Sequence, residues 1–135
     1  LVHFVGEIGE DDKSEFLGNA RGLLFPIDWP EPFGLVMIEA MATGTPVVAF
    51  RGGSVDEVID DGITGFVVED MDGAVAAARR ITELDRSRCR ATFEHRFSSD
   101  TMGAKYASLY QELISQALFP LKRPAAVASE EAWSS

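Results

Sequence analysis

Glu31 and Glu39 stand eight residues apart, and Glu39 is the one charge between Pro32 and Phe50. A carboxylate set in so apolar a run needs a partner, because an unpaired buried charge is costly. The partner is either structural, such as Arg51 or a loop amide, or a hydroxyl of a ligand. Glu31 tips the balance toward a ligand. Pro32 and Gly34 place it in a loop that opens the helix carrying Glu39. The first amides of that helix, those of Phe33, Gly34, Leu35 and Val36, have no intrahelical acceptor and point out of its end, where phosphate is attracted. The same turn therefore offers an anion cradle and two carboxylates that accept from hydroxyls. A ligand bearing both phosphates and sugar hydroxyls satisfies all of these groups. Hydrolysis by a carboxyl pair is disfavoured: eight helical residues span about 12 Å, against about 5–9.5 Å for glycosidase pairs.

The elements that must position these groups can be read from periodicity. Residues 34–43 have a helix period and are apolar almost all round, which predicts a buried helix. At about 100° per residue, Leu35, Ile38, Met41 and Ala42 share a face, with Glu39 beside it. Gly44 and Pro46 end the helix, and Val47-Val48-Ala49-Phe50 reads as a strand covered on both faces. Further strands are expected at 2–5, 22–25 and 65–68. Helices are expected at 11–17, 54–59, 71–84 and 86–96. A long last helix, capped by Ser99 or Asp100, carries Met102, Tyr106, Leu109, Tyr110, Leu113 and Ile114 on its apolar stripe. This alternation predicts an α/β, Rossmann-like domain with a mostly parallel sheet and flanking helices. The Pro26–Gly34 loop and the Gly52-Gly53 turn both follow strands, so they share the rim where ligands of such sheets sit.

Composition narrows the classes. A chain of 135 residues with 46% hydrophobic and 25% charged residues suits one globular domain. Its net charge of −10, with no basic patch among aromatics, disfavours nucleic acid. Residues 1–60 hold eleven acids against Lys13, Arg21 and Arg51. The later basic run around Arg86, Arg88 and Arg90 reads as a solvated helix face. Cys89 stands alone, so neither a disulfide framework nor a metal pattern is present, and a cytoplasmic setting is expected. No signal peptide or transmembrane run is seen. The start at Leu1, within a strand-like Leu-Val-His-Phe-Val, reads as a piece of a longer chain. His3 and His95 read as structural, Asp28 as a solvated loop acid.

The stretch EPFGLVMIEAMATGTPVVAF followed by RGGSVDEVIDDGITGFVV resembles the donor-binding, C-terminal domain of family-4 retaining glycosyltransferases, which have the GT-B fold. The likeness runs from about Val2 to Ile114. It rests on two Glu residues separated by seven, then Gly-Thr-Pro-Val. It implies that Glu31, the catalytic candidate, lies near the donor sugar. The amides of Phe33, Gly34, Leu35 and Val36 would hold the sugar and diphosphate. Glu39 would accept from the ribose hydroxyls, and the Gly6-Glu7-Ile8 segment and Lys13 would lie near the base. Read without the family, Gly6 is a turn glycine and Lys13 a surface lysine. Trp29 either covers the site or packs structurally, and Arg51 with Gly52-Gly53 either lines the rim or makes a plain turn.

The implied parent transfers a hexose from a UDP- or GDP-hexose to an acceptor, with retention and with neither a metal nor another cofactor. Rival readings are a non-catalytic nucleotide-binding or assembly module and another GT-B enzyme such as a nucleotide-sugar epimerase. Two departures matter. Asp56 stands before Glu57 where the nearest subgroup of the family usually has Pro, and no residue matches the family's diphosphate-binding Arg and Lys. Residues 1–119 then form a partial domain lacking its first two strand-helix units, and 120–135 a disordered tail. Such a chain should bind nucleotide sugars weakly and turn none over. Its unpaired strand edges predict local rearrangement or self-association.

Overall fold

The computed structural model describes residues 2–118, and its centre is the strand Val47–Phe50. This strand, β2, lies between β1 (Leu23–Phe25) and β3 (Gly65–Val68) in a three-stranded, wholly parallel sheet of order β1-β2-β3. Val47 pairs with Leu23 on one side and Gly65 on the other. The helices are α1 (Glu10–Asn19), α2 (Leu35–Ala42), α3 (Val55–Val58), α4 (Met71–Arg80), α5 (Arg86–Arg96) and α6 (Ser99–Leu118). A 3₁₀ turn, Ile81–Glu83, ends the stretch after α4. The α/β, Rossmann-like expectation is met, with crossover helices between parallel strands.

Packing explains the run of apolar residues in β2. Val47 and Ala49 join Phe25, Met37, Ala40, Met41, Val55, Val58 and Ile59 in the main core, and Phe93 and Phe97 pack against it. Val48 faces the other way, into a smaller cluster with Ala77 and Ile81. A strand alternates its side chains, so burial of both faces requires every residue to be apolar. Each fully buried Val or Met contributes roughly 1.5–3 kcal/mol by leaving water.

The basic run on α5 departs from its expected role as a merely solvated face. Arg86 donates to the carbonyls of Gly18 (2.7 Å) and Ala20 (2.6 Å) and to the buried Thr45 hydroxyl (2.9 Å). Arg90 donates to the carbonyl of Ala42, and Arg96 to that of Glu57. The three guanidinium groups thus meet the C-terminal ends of α1, α2 and α3. Those ends carry unsatisfied carbonyls and partial negative charge, which a cation neutralises. Arginines spaced along α5 thus fasten the C-terminal ends of three other helices.

The strand expected at residues 2–5 does not form. Val2, Phe4 and Val5 are exposed, and this segment joins no sheet. Its sequence favours a strand, but a strand exists only when a neighbour supplies a ladder, and in a 3-2-1-4-5-6 order that neighbour is not β1. The first helix is longer than expected, starting at Glu10 after Gly9. The last begins at Ser99, earlier than a Ser99 or Asp100 cap implies, and the capping hydroxyl is that of Ser98, which accepts from the Thr101 amide at 3.2 Å.

Two compact units divide the chain, one ending at Met102 and one starting at Gly103. The second unit carries α6 on to Leu118, with the Tyr106 and Tyr110 rings 6.2 Å apart. The disordered tail expected at 120–135 lies outside the described residues. Among the described residues, no helix is long and apolar enough to cross a membrane.

Candidate functional site

The loop between β1 and α2 is held in place by the turn that follows β2. The Ser54 amide donates to the Glu31 carbonyl (3.1 Å), and the Ser54 hydroxyl to the Phe33 carbonyl (2.7 Å). Gly53 sits at φ 52° with its backbone against Glu31, where a Cβ would lie 2.2 Å from the Glu31 carbonyl oxygen. Only glycine combines that dihedral with so close an approach. The two loops do share one rim, as the order of strands and loops predicts. Ser54 was not singled out in the sequence, although a hydroxyl directly after Gly-Gly at a strand's end is a readable signal.

Glu31 turns back over the helix mouth. Its Oε1 accepts from the Gly34 amide (3.3 Å) and its Oε2 from the indole of Trp29 (3.3 Å). Trp29 remains exposed, and its carbonyl also accepts from the Glu31 amide at 2.7 Å. Gly34 is left-handed (φ 68°) and ends the loop before α2 begins. The next amides, those of Leu35 and Val36, donate to no acceptor among the described residues. An open pair of N–H groups at a helix N-terminus is the geometry that takes an anionic or polar ligand oxygen. The mouth is therefore partly capped by Glu31 and partly open.

The helix is not buried all round. Met37, Ile38, Ala40 and Met41 are buried, while Leu35, Val36, Glu39, Ala42 and Thr43 form an open strip. At about 100° per residue, Glu39 lies at the middle of that strip. Met37, Ala40 and Met41 join the main core while Leu35 is exposed, so the shared face assigned to Leu35, Ile38, Met41 and Ala42 is corrected. A charge on a strip with 36% of its side chain accessible escapes most of the desolvation cost that a core position would impose.

The partner of Glu39 is Lys13, not Arg51. Lys13 reaches from α1 with Nζ 3.0 Å from Glu39 Oε1 and 2.6 Å from Glu10 Oε1. Glu10 first, then Glu39, raise the Lys13 pKa above that of a free lysine. Arg51 is taken up by Glu69 (2.6 Å) and by Asp56. It is thereby drawn away from the helix mouth. Glu39 Oε2 accepts from no described residue, so one oxygen of the pair is free. Lys13 thus joins the site, while Ile8 is half-buried in the loop before α1 and Gly6 is left-handed with open space around it. Asp28 is exposed, as expected.

Comparison with known proteins decides the family. A family model described as "Glycosyl transferases group 1" matches residues 1–99. The chain belongs to this family. It is 32% identical over 121 residues to an N-acetyl-alpha-D-glucosaminyl L-malate synthase of Bacillus anthracis, covering 84% of this chain and 31% of that relative. It is 32% identical over 123 residues to a D-inositol 3-phosphate glycosyltransferase of Streptomyces griseus, with 85% and 26% covered. A protein of that second name from Streptomyces avermitilis is 35% identical over 118 residues, with 82% and 25% covered. The chain thus spans between a quarter and a third of the length of these relatives.

Proposed function

We propose that the chain is the nucleotide-sugar-binding part of a retaining hexosyltransferase with the GT-B fold. The observation that carries this reading is the open N-terminus of α2. The unpaired Leu35 and Val36 amides lie within one helical turn of Glu39, whose Oε2 is free. The amides take oxygens of the sugar or diphosphate, and Glu39 Oε2 takes the ribose hydroxyls. Each charge-assisted bond to Glu39 contributes roughly 1.5–3 kcal/mol. Lys13 holds Oε1 and so presents the carboxylate at a fixed orientation before the ligand arrives. Glu31, capping Gly34 from the loop, would leave the amide and turn to the donor sugar hydroxyls. The names of the relatives, two of them glycosyltransferases, support the reaction class.

Catalysis in this reading is electrostatic. The leaving diphosphate is stabilised by positioned amides and by cations. The chain supplies only the amides, because Lys13 is engaged by Glu10 and Glu39. Against eleven acids and three bases in residues 1–60, a helix dipole worth about 0.3–1 kcal/mol is weak support for a diphosphate. The chain alone therefore binds UDP- or GDP-hexose only weakly and transfers nothing. No metal is needed.

Titration of the ¹⁵N-labelled chain with UDP-glucose and GDP-mannose tests this. The expected result is fast-exchange shifts centred on the Leu35 and Val36 amides, with no product formed. Unmoved amides at those two positions at saturating ligand would sink the cradle. Product formation by this chain alone would contradict the predicted inactivity.

A further inference from the structure

Ser54 is buried, yet its hydroxyl does not serve the helix it precedes. It stands at the N-cap of α3, where a serine ordinarily takes an extended backbone and accepts from an amide of the first turn. Here its backbone is helical (φ −84°, ψ −2°), and its side chain makes no capping hydrogen bond. The hydroxyl instead donates across the rim to the Phe33 carbonyl at 2.7 Å, while the Ser54 amide donates to the Glu31 carbonyl at 3.1 Å. One residue thus holds the carbonyls on both sides of Pro32.

The hold on Phe33 has a consequence for Glu31. The Phe33 carbonyl and the Gly34 N–H belong to one planar trans peptide and point in opposite directions. Fixing the oxygen therefore aims the N–H. That N–H is where Glu31 Oε1 rests, 3.3 Å away. Gly34 does little to hold its own φ of 68°, so this peptide keeps its direction only if something else pins it. We propose that Ser54 is a positioning residue for the Glu31 carboxylate. Its amide fixes the main chain of Glu31, and its hydroxyl aims the amide on which that carboxylate rests. This role rests on the nucleotide-sugar reading proposed above, in which Glu31 turns from Gly34 to the donor sugar. Ser54 fixes the starting point of that turn, so the carboxylate is organised before the sugar arrives. Ser54 itself touches no ligand. Its effect falls on the sugar and not on the nucleotide, which Glu39 and the Leu35 and Val36 amides hold.

Two measurements on the ¹⁵N-labelled chain test this, with wild type, Ser54→Ala and Ser54→Thr. The first needs no ligand: the residual dipolar coupling of the Gly34 N–H reports the direction of that bond. Ser54→Ala should change it while the couplings of Met37, Ile38, Ala40 and Met41 keep their wild-type values. Ser54→Thr retains the hydroxyl and should retain the Gly34 coupling. The second compares titrations with UDP-glucose against UDP, and GDP-mannose against GDP. Ser54→Ala should weaken the nucleotide sugar by roughly two- to tenfold, the worth of one hydrogen bond. It should leave the free nucleotide unaffected, and Ser54→Thr should restore the wild-type affinity. An unchanged Gly34 coupling in Ser54→Ala would overturn the proposal. So would an equal loss for sugar and free nucleotide, which marks a general loosening, or a loss that Ser54→Thr shares. A wild type that binds none of the four ligands would overturn the nucleotide-sugar reading instead, and the ligand-free coupling would still decide whether Ser54 aims the Gly34 amide.

Discussion

Individual residues show where local chemistry is decided by neighbours far away in the chain. Glu39 was readable as an acid needing a partner, but not which partner. Lys13 lies 26 positions earlier and reaches Glu39 because α1 packs on α2. Nothing in the spacing of Lys13 announces this. Arg51, nearer in sequence, is diverted by Asp56 and Glu69. Gly53 was legible only as a turn glycine, although its φ of 52° and the 2.2 Å from a built Cβ to the Glu31 carbonyl oxygen make it the fulcrum of the loop. Replacing Gly53 with Ala forces that dihedral and displaces Glu31. The expected cost is about 1–3 kcal/mol, read as a lower denaturant midpoint. An unchanged midpoint would mean that the Glu31 loop is not fixed by Gly53.

Elements were more legible than their ends and their partners. Strands 47–50 and 65–68 and helix 86–96 fall where periodicity puts them. The open strip of α2 was missed because every residue but Glu39 is apolar, so periodicity alone could not say which side the core takes. Which arginines of α5 grip carbonyls was also hidden, since the acceptors lie at helix ends distant in sequence. The start of α5 gives a pH test. The Ser87 hydroxyl and amide hold the Asp85 carboxylate below its ordinary value of 3.8. A depressed folded pKa means that this cap adds stability above pH 3.8, and that the gain is lost as pH falls through the folded value. Chemical denaturation should show this contribution intact at neutral pH and fading below about pH 4. Asp85→Asn keeps a good cap without a titrating group, so its stability should fall less steeply in acid. Identical acid profiles for the two proteins would rule the cap out as a source of that dependence.

For the whole molecule, the sheet class and the shared rim followed from alternating strands and helices. The fate of residues 2–5 did not, because a strand is a property of a pair and its neighbour in the doubly wound order lies outside β1-β2-β3. The match to the glycosyl transferases group 1 family covers residues 1–99, which include the α2 mouth. The geometry supports the cradle through two open amides and one free carboxylate oxygen. The most direct test is calorimetry of a UDP- or GDP-hexose with the full-length parent, comparing wild type with Glu39→Gln. Loss of charge on the acceptor should weaken binding by about tenfold or more, with the fold unchanged by circular dichroism. Equal affinities would show that Glu39 serves only Lys13, and the cradle would not be the donor site.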